Sequence, residues 1–256
     1  MQREKSPYAV QAVESALDLL QVLTEGHVAP TLPYLAETMG LSRNKVFRLL
    51  ATFEERGLVE KEDSTGCYQL GLPAAELAQR VLNSVSLIQI AHPVMESLAR
   101  KHNEAVYMTV LSGDDVLFLD MVDSGQQIKA APLVGKRFPF FTNAAGKAIR
   151  ALESRDILER FFRKRPRRQP AVDFKRLEEE LNLIQNRGVA VDTGGLGEGV
   201  ITVAVAVRDY AGKVVGALTM LGPSFRMLTE RLENEIIPSL TEGAQILSFK
   251  FGYAKI

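Results

Sequence analysis

The chain reads as an α+β protein in parts: a winged helix-turn-helix first, then a helical linker, then a body built on an antiparallel sheet. Three features point there. Two short helical patterns meet at a tight turn around Gly40. Strand-like runs at 58–61 and 67–70 flank the turn formers Asp63, Ser64, Thr65 and Gly66. Beyond Glu104, paired strand-like runs alternate with helical ones.

Each element follows from its own spacing. Val10, Val13, Ala16, Leu17, Leu20 and Leu23 recur at helical intervals and stop before Gly26. A short helix then closes at Gly40, where the backbone must turn left-handed, and Ser42 is placed to cap the next helix. From Val46, apolar residues return at Leu49, Leu50 and Phe53, the stripe of a helix with one buried face. At about 100° per residue, Asn44, Phe47, Arg48 and Ala51 fall on the opposite face. The helix runs to Arg56 and stops at Gly57, and the strand pair after it forms the wing. Gly71-Leu72-Pro73 is a natural break. One helix starts at Pro73, and a longer one covers 87–101, where Pro93 is expected to kink it. The expected division is therefore 1–71, a helical linker 72–102, and a body 103–256.

In the body, runs 106–111 and 116–122 form a hairpin around Gly113-Asp114. Helices are expected at 143–152, near 155–162 and over 174–186. A second hairpin, 201–208 with 214–221, turns at Tyr210-Ala211-Gly212, and a last helix covers 229–249.

Composition removes several function classes. With 46% hydrophobic and 24% charged residues the chain is of globular type. No apolar run approaches the roughly 18 residues that span a membrane, and the start lacks an apolar signal region, so a cytoplasmic location without membrane contact is expected. The single cysteine, Cys67, excludes an internal disulfide and a Cys-rich zinc site. His27, His92 and His102 lack ligand spacing, so neither metal nor cofactor is expected. The formal net charge is +0, and residues 1–70 hold seven Lys/Arg against ten Asp/Glu, a net of −3. A bulk polycation is thereby excluded, and any grip on nucleic acid must come from a local patch.

The second helix of the pair supplies that patch. Arg43, Lys45 and Arg48 have no acid between Glu37 and Glu54 to neutralise them. Asn44 and Arg48 lie one turn apart on the exposed face, suited to two-hydrogen-bond contacts with adenine and guanine, each worth roughly 1–3 kcal/mol of discrimination. Ser42, Arg43 and Lys45 at the helix start favour phosphates, and Phe47 suits a thymine methyl or a sugar. The partner implied is duplex DNA, entered through the major groove.

In the body, Thr202, Ala204 and Ala206 share a strand face opposite Val203, Val205 and Val207. On the next strand, Thr219 and Leu221 are expected to share a face with Val215 and Ala217. Small residues on one face leave a hollow that a compact ligand could fill, although threonine is also simply a good strand former. Thr142, Asn143, Ala144, Ala145 and Gly146 open a helix whose free N–H groups suit a carboxylate. A plain cap from Thr142 or Asn143 is the alternative, and cap and site are compatible. The glycine-rich 194–199 run precedes a strand and lacks the Lys-Ser/Thr of a phosphate loop, so it reads as a rim loop. The basic run 163–168 reads as a solvated loop.

Several stretches together resemble one family. Val10-Gln11-Ala12-Val13-Glu14-Ser15-Ala16-Leu17-Asp18-Leu19-Leu20, Lys45-Val46-Phe47-Arg48-Leu49-Leu50 and Tyr68-Gln69-Leu70-Gly71 are similar to the DNA-binding part of IclR-type bacterial transcription regulators. Val134-Gly135-Lys136-Arg137-Phe138-Pro139, Asn143-Ala144-Ala145-Gly146-Lys147-Ala148, Gly197-Glu198-Gly199-Val200 and Leu221-Gly222-Pro223-Ser224-Phe225-Arg226 resemble its effector domain. The resemblance implies a repressor or activator whose winged helix reads a palindromic operator. It also implies a GAF-like C-terminal domain that binds a small metabolite, and assembly as a homodimer or a dimer of dimers. Positions matching Asp192, Thr202, Thr219 and Leu221 contact effector in related regulators. Thr202 stands where cysteine is frequent and Leu221 where some members have serine, which points to a larger or partly apolar organic acid. Two rival readings are an enzyme using the C-terminal domain and a ligand-independent DNA binder. Against the enzyme, no serine elbow, Cys/His pair or cofactor fingerprint is evident.

Overall fold

The computed structural model describes residues 9–24, 30–84, 86–153 and 173–253, which fall into two compact units, Met1–Ser84 and Val85–Ile256. The first comprises α1 (Gln11–Thr24), α2 (Leu32–Thr38), α3 (Arg43–Glu55), β1 (Val59–Lys61), β2 (Tyr68–Leu70) and α4 (Leu72–Ser84). Leu19, Leu35, Val46 and Leu50 are fully buried against Val59 and Tyr68. Each such leucine contributes about 1.5–3 kcal/mol, so the apolar stripe on α3 fixes which face of that helix looks outward. Pro33 sits in the first turn of α2, where its missing N–H costs nothing. Gly40 takes φ +62, and its N–H donates to the Glu37 carbonyl at 3.1 Å, which lets α3 start only three residues later. β1 and β2 pair antiparallel, Glu60 opposite Gln69. The hairpin gains a third edge that the sequence does not announce: Thr31 bridges Cys67, and the Tyr68 N–H donates to Pro30 at 3.0 Å.

The second unit opens with α5 (Ser86–His102) and the hairpin β3 (Ala105–Ser112) and β4 (Asp115–Val122). β5 (Arg137–Pro139), a 3₁₀ turn (Phe140–Thr142), α6 (Ala144–Arg150) and α7 (Phe174–Arg187) follow. Then come β6 (Ala190–Thr193), β7 (Val200–Arg208), β8 (Val214–Pro223), α8 (Thr229–Arg231), a π-helical turn (Leu232–Ile236) and α9 (Ile237–Lys250). The strands form one antiparallel sheet in the order β5-β4-β3-β8-β7-β6. Period-2 alternation sorts the side chains between two cores. Val106, Met108, Val203, Val205, Val207, Leu218 and Met220 bury against α5 and α9. Ala105, Tyr107, Phe118, Ala204, Ala217 and Leu221 bury against α6 and α7. Helices therefore cover both faces of the sheet.

α5 runs as one helix through Pro93, as the spacing over 87–101 predicts. Other expectations change. The last helix is interrupted by the π turn, for which Pro238 gives a reason: it has no N–H to offer the Asn234 carbonyl four residues back. β5 and β6 are strands that the sequence does not signal. Val215 does not share a face with Ala217. The register slips between Val207 and Arg208, and Val215 packs into the core on the α5 side. The expected helix near 155–162 and the basic run 163–168 lie outside the described residues.

Candidate functional site

On the first unit, the outer face of α3 carries the chemistry. Ser42 is extended (φ −65, ψ 143), and its hydroxyl accepts the Lys45 N–H at 3.3 Å, which anchors the helix start. Ser42, Arg43, Asn44, Phe47 and Arg48 are exposed, Lys45 is half-buried, and Val46 and Leu50 point inward. Phe47 leaves 52% of its surface in solvent, a large apolar side chain placed outward on an otherwise polar face. Among the described residues, no carboxylate lies within ion-pair distance of Arg43, Lys45 or Arg48. The wing has the opposite character: Glu60 on β1 and Glu62 and Asp63 at the tip are exposed against one lysine, Lys61. The uncompensated positive charge of the turn-helix-wing segment is thus concentrated on α3.

On the second unit, the seven candidate effector residues converge. Pairing sets Asp192 opposite Thr202, Thr202 opposite Leu221, and Ala204 opposite Thr219. α6, with Asn143 at its cap, packs on this face through Ala144, Ala145 and Ala148. The small strand residues let the helix approach the sheet closely. Asn143 is fully buried, and its side-chain oxygen accepts the Gly146 N–H at 3.0 Å while its amide donates to the Pro139 carbonyl at 3.1 Å. Thr219 shares a 3.3 Å hydroxyl contact with Thr109, and Thr202 only grazes the Asp192 carbonyl at 3.5 Å.

Asp192 is engaged on both oxygens. Oδ1 pairs with the Lys147 ammonium at 3.2 Å, and Oδ2 accepts the Gly195 N–H at 2.9 Å. Lys147 is itself buried and also pairs with Glu180 on α7 at 2.7 Å. Gly195 crosses so close that a Cβ there would sit 1.9 Å from the Thr142 carbonyl oxygen and 2.2 Å from Asp192 Oδ2. The 194–199 run is therefore a cover seated over the start of α6, with Leu196 packed against the same core as Ala144 and Leu221. Two cavities, of about 460 and 330 Å³, lie away from these seven residues.

The family models match in two blocks, the IclR helix-turn-helix domain over residues 12–63 and the bacterial transcriptional regulator IclR C-terminal domain over 79–249. The chain belongs to the IclR family. Similar IclR-type proteins include the HTH-type transcriptional regulator KdgR of Escherichia coli K12, 29% identical over 98% of this chain and 96% of that protein. An IclR transcriptional regulator from Alicyclobacillus acidocaldarius superposes with a TM-score of 0.84 at 24% identity, covering 96% of this chain and 100% of that one. An IclR homologue from Microbacterium hydrocarbonoxydans, complexed with 4-hydroxybenzoate, superposes with a TM-score of 0.79 at 22% identity over 94% and 99% of the two chains. As an IclR-family regulator the chain combines a helix-turn-helix domain with an effector-binding domain. Among the described residues no helix is long and apolar enough to cross a membrane.

Sequence reasoning passes over three residues of this candidate face. Lys147 holds Asp192 and Glu180 together, yet nothing local pairs it with Glu180, since 33 residues separate the two. Tyr107 reaches the face because β3 pairs with β8, placing it opposite Thr219. Burial pushes its hydroxyl up to about 12, so it stays a neutral hydroxyl near pH 7.

Proposed function

We propose that the chain is a ligand-responsive transcription regulator that acts in the cytoplasm on a palindromic operator, as a homodimer or dimer of dimers. In this reading residues 1–71 are the DNA-binding domain, 72–102 the linker and 103–256 the effector domain. Asn44 and Arg48 read base edges, Ser42, Arg43 and Lys45 hold phosphates, and Phe47 meets a thymine methyl or a sugar. The observation that carries the reading is the capped α3 helix with its exposed cations unanswered by any described carboxylate. The dimer draws support from Val10 just before α1 and Val13 and Leu17 on it, all more than half exposed.

The effector is a small organic acid. Its carboxylate sits at the start of α6 beside Asn143, Ala144 and Ala145, and Asp192, Thr202, Thr219 and Leu221 line its remainder. Because Gly195 covers that place, the 194–199 run lifts to admit the ligand. The 4-hydroxybenzoate complex of the structural neighbour makes an aromatic hydroxy acid the first probe to use.

Selection from random duplexes, followed by footprinting of DNA upstream of the chain's own gene, tests the first half. A single palindromic footprint is expected, and binding with no preference above random duplex overturns it. For the second half, a panel of organic acids is screened by thermal shift. A saturating ligand stabilises by about 2.7 kcal/mol at one hundred times its Kd, and Thr219→Val is expected to reduce that gain. An acid whose effect Thr219→Val and Asp192→Asn leave untouched binds elsewhere.

A further inference from the structure

A second pocket lies outside everything assigned so far. It is the cavity of about 460 Å³ where the end of α5 meets the π turn and the first turns of α9. Its volume falls in the range of small-molecule sites, roughly 300–1,000 Å³. Three kinds of polar group line it. Lys101 reaches across to α9, its ammonium donating to the Ser239 hydroxyl at 2.9 Å, which uses one of its three N–H groups. Glu235 and Glu242 are exposed on the opposite wall, and among the described residues neither has a cation within ion-pair distance. His102 is only 4% exposed, and its Nε2 has no hydrogen-bond partner among the described residues.

This is an unusual thing to leave unsettled. Opposite charges line one cavity without pairing: Lys101 stays on Ser239, and neither glutamate is within ion-pair distance of it. The π turn contributes: widening the helix at Leu232–Ile236 carries Asn234 and Glu235 to the cavity, and such turns often mark sites where a side chain is presented to a ligand. A buried imidazole nitrogen without a partner adds a polar demand that the fold does not meet. The complementary solute has one positive and one negative group a few ångströms apart.

We propose that this cavity binds a zwitterion of the α-amino acid class, its carboxylate on Lys101 and Ser239 and its ammonium on Glu235 and Glu242. The site is separate from the Asp192 face and independent of the DNA-binding reading.

The full chain is titrated calorimetrically with glycine, L-glutamate, L-arginine and L-phenylalanine, and with acetate and methylammonium, which each carry one charge only. At least one amino acid is expected to bind, at least about tenfold tighter than either single-charge probe. Lys101→Met and Glu242→Gln are each expected to weaken it by about tenfold or more while circular dichroism stays unchanged. The His102 ring resonances are expected to shift on binding, with half-saturation matching the calorimetric Kd. The proposal is overturned if no amino acid gives heat at about 10 mM, if acetate binds as well as the amino acids, or if both variants bind like the parent chain.

Discussion

Arg48 owes its interest to what is missing around it. Val46 and Leu50 hold the helix in place while Arg48 projects from it without a described carboxylate partner. Arg48→Ala should therefore leave the fold intact. It should cost about 1–3 kcal/mol of operator binding and relax sequence preference at one base pair, read by gel shift against a systematically mutated site. His102 makes a prediction of the opposite kind, about stability alone. Burial, then the Lys101 and Arg231 cations, lower its pKa below 6.5, with Glu235 and Glu104 pulling weakly the other way. The folded state thus resists a proton that the unfolded chain accepts. Above about pH 6.5 both states are neutral and the group adds nothing, and as pH falls from there toward the depressed folded value stability is lost. Urea unfolding at about pH 7.5 and about pH 5 should show a larger drop for the parent chain than for His102→Gln. An equal drop would mean that other groups carry the acid sensitivity.

At the scale of elements, the 194–199 run and α6 depend on close approach. Gly195→Ala would drive a methyl into the Thr142 carbonyl and the Asp192 carboxylate, and the carbonyl is backbone with little room to move. The expected loss is about 1–3 kcal/mol in urea unfolding, with the cover displaced from α6. Lys147→Met leaves Asp192 with the Gly195 N–H alone and should cost roughly 3 kcal/mol, since Lys147 is buried and answers two carboxylates. A loss below about 0.5 kcal/mol would show that solvent already satisfies Asp192. The same elements mark the limit of what the sequence discloses. α3 was legible because a cap, a stripe and a glycine stop all agree, and β7 with β8 because alternation runs for nine or ten residues. β5 has three residues and ends in proline, and β6 has four between glycines, too short for a period to show. The face of β7 and β8 was legible but not what covers it. Small residues signal both a hollow and a tight helix contact, and only the fold shows that Ala144, Ala145 and Ala148 pack on this face.

At the scale of the whole molecule, charge is the quantity to follow, because a chain with a formal net charge of +0 is being asked to hold a polyanion. If α3 alone supplies the grip, the salt dependence of binding counts its cations. Arg43 and Lys45, the two cations placed on phosphates, predict a slope of log K against log salt near −2 for one head, and two heads on a palindrome predict about −4. Measuring the slope by fluorescence anisotropy between about 50 and 200 mM salt therefore tests charge localisation and assembly together. The wing supplies the control. With Glu60 on β1 and Glu62 and Asp63 at its tip it should add nothing to the slope of the parent chain, whereas Asp63→Lys should steepen it by about one unit per head if the tip passes near phosphate. A slope close to zero would remove α3 as the DNA-binding surface, since counterion release is then absent. A slope near −2 would leave one head on the duplex, and the operator would have to be a single half-site.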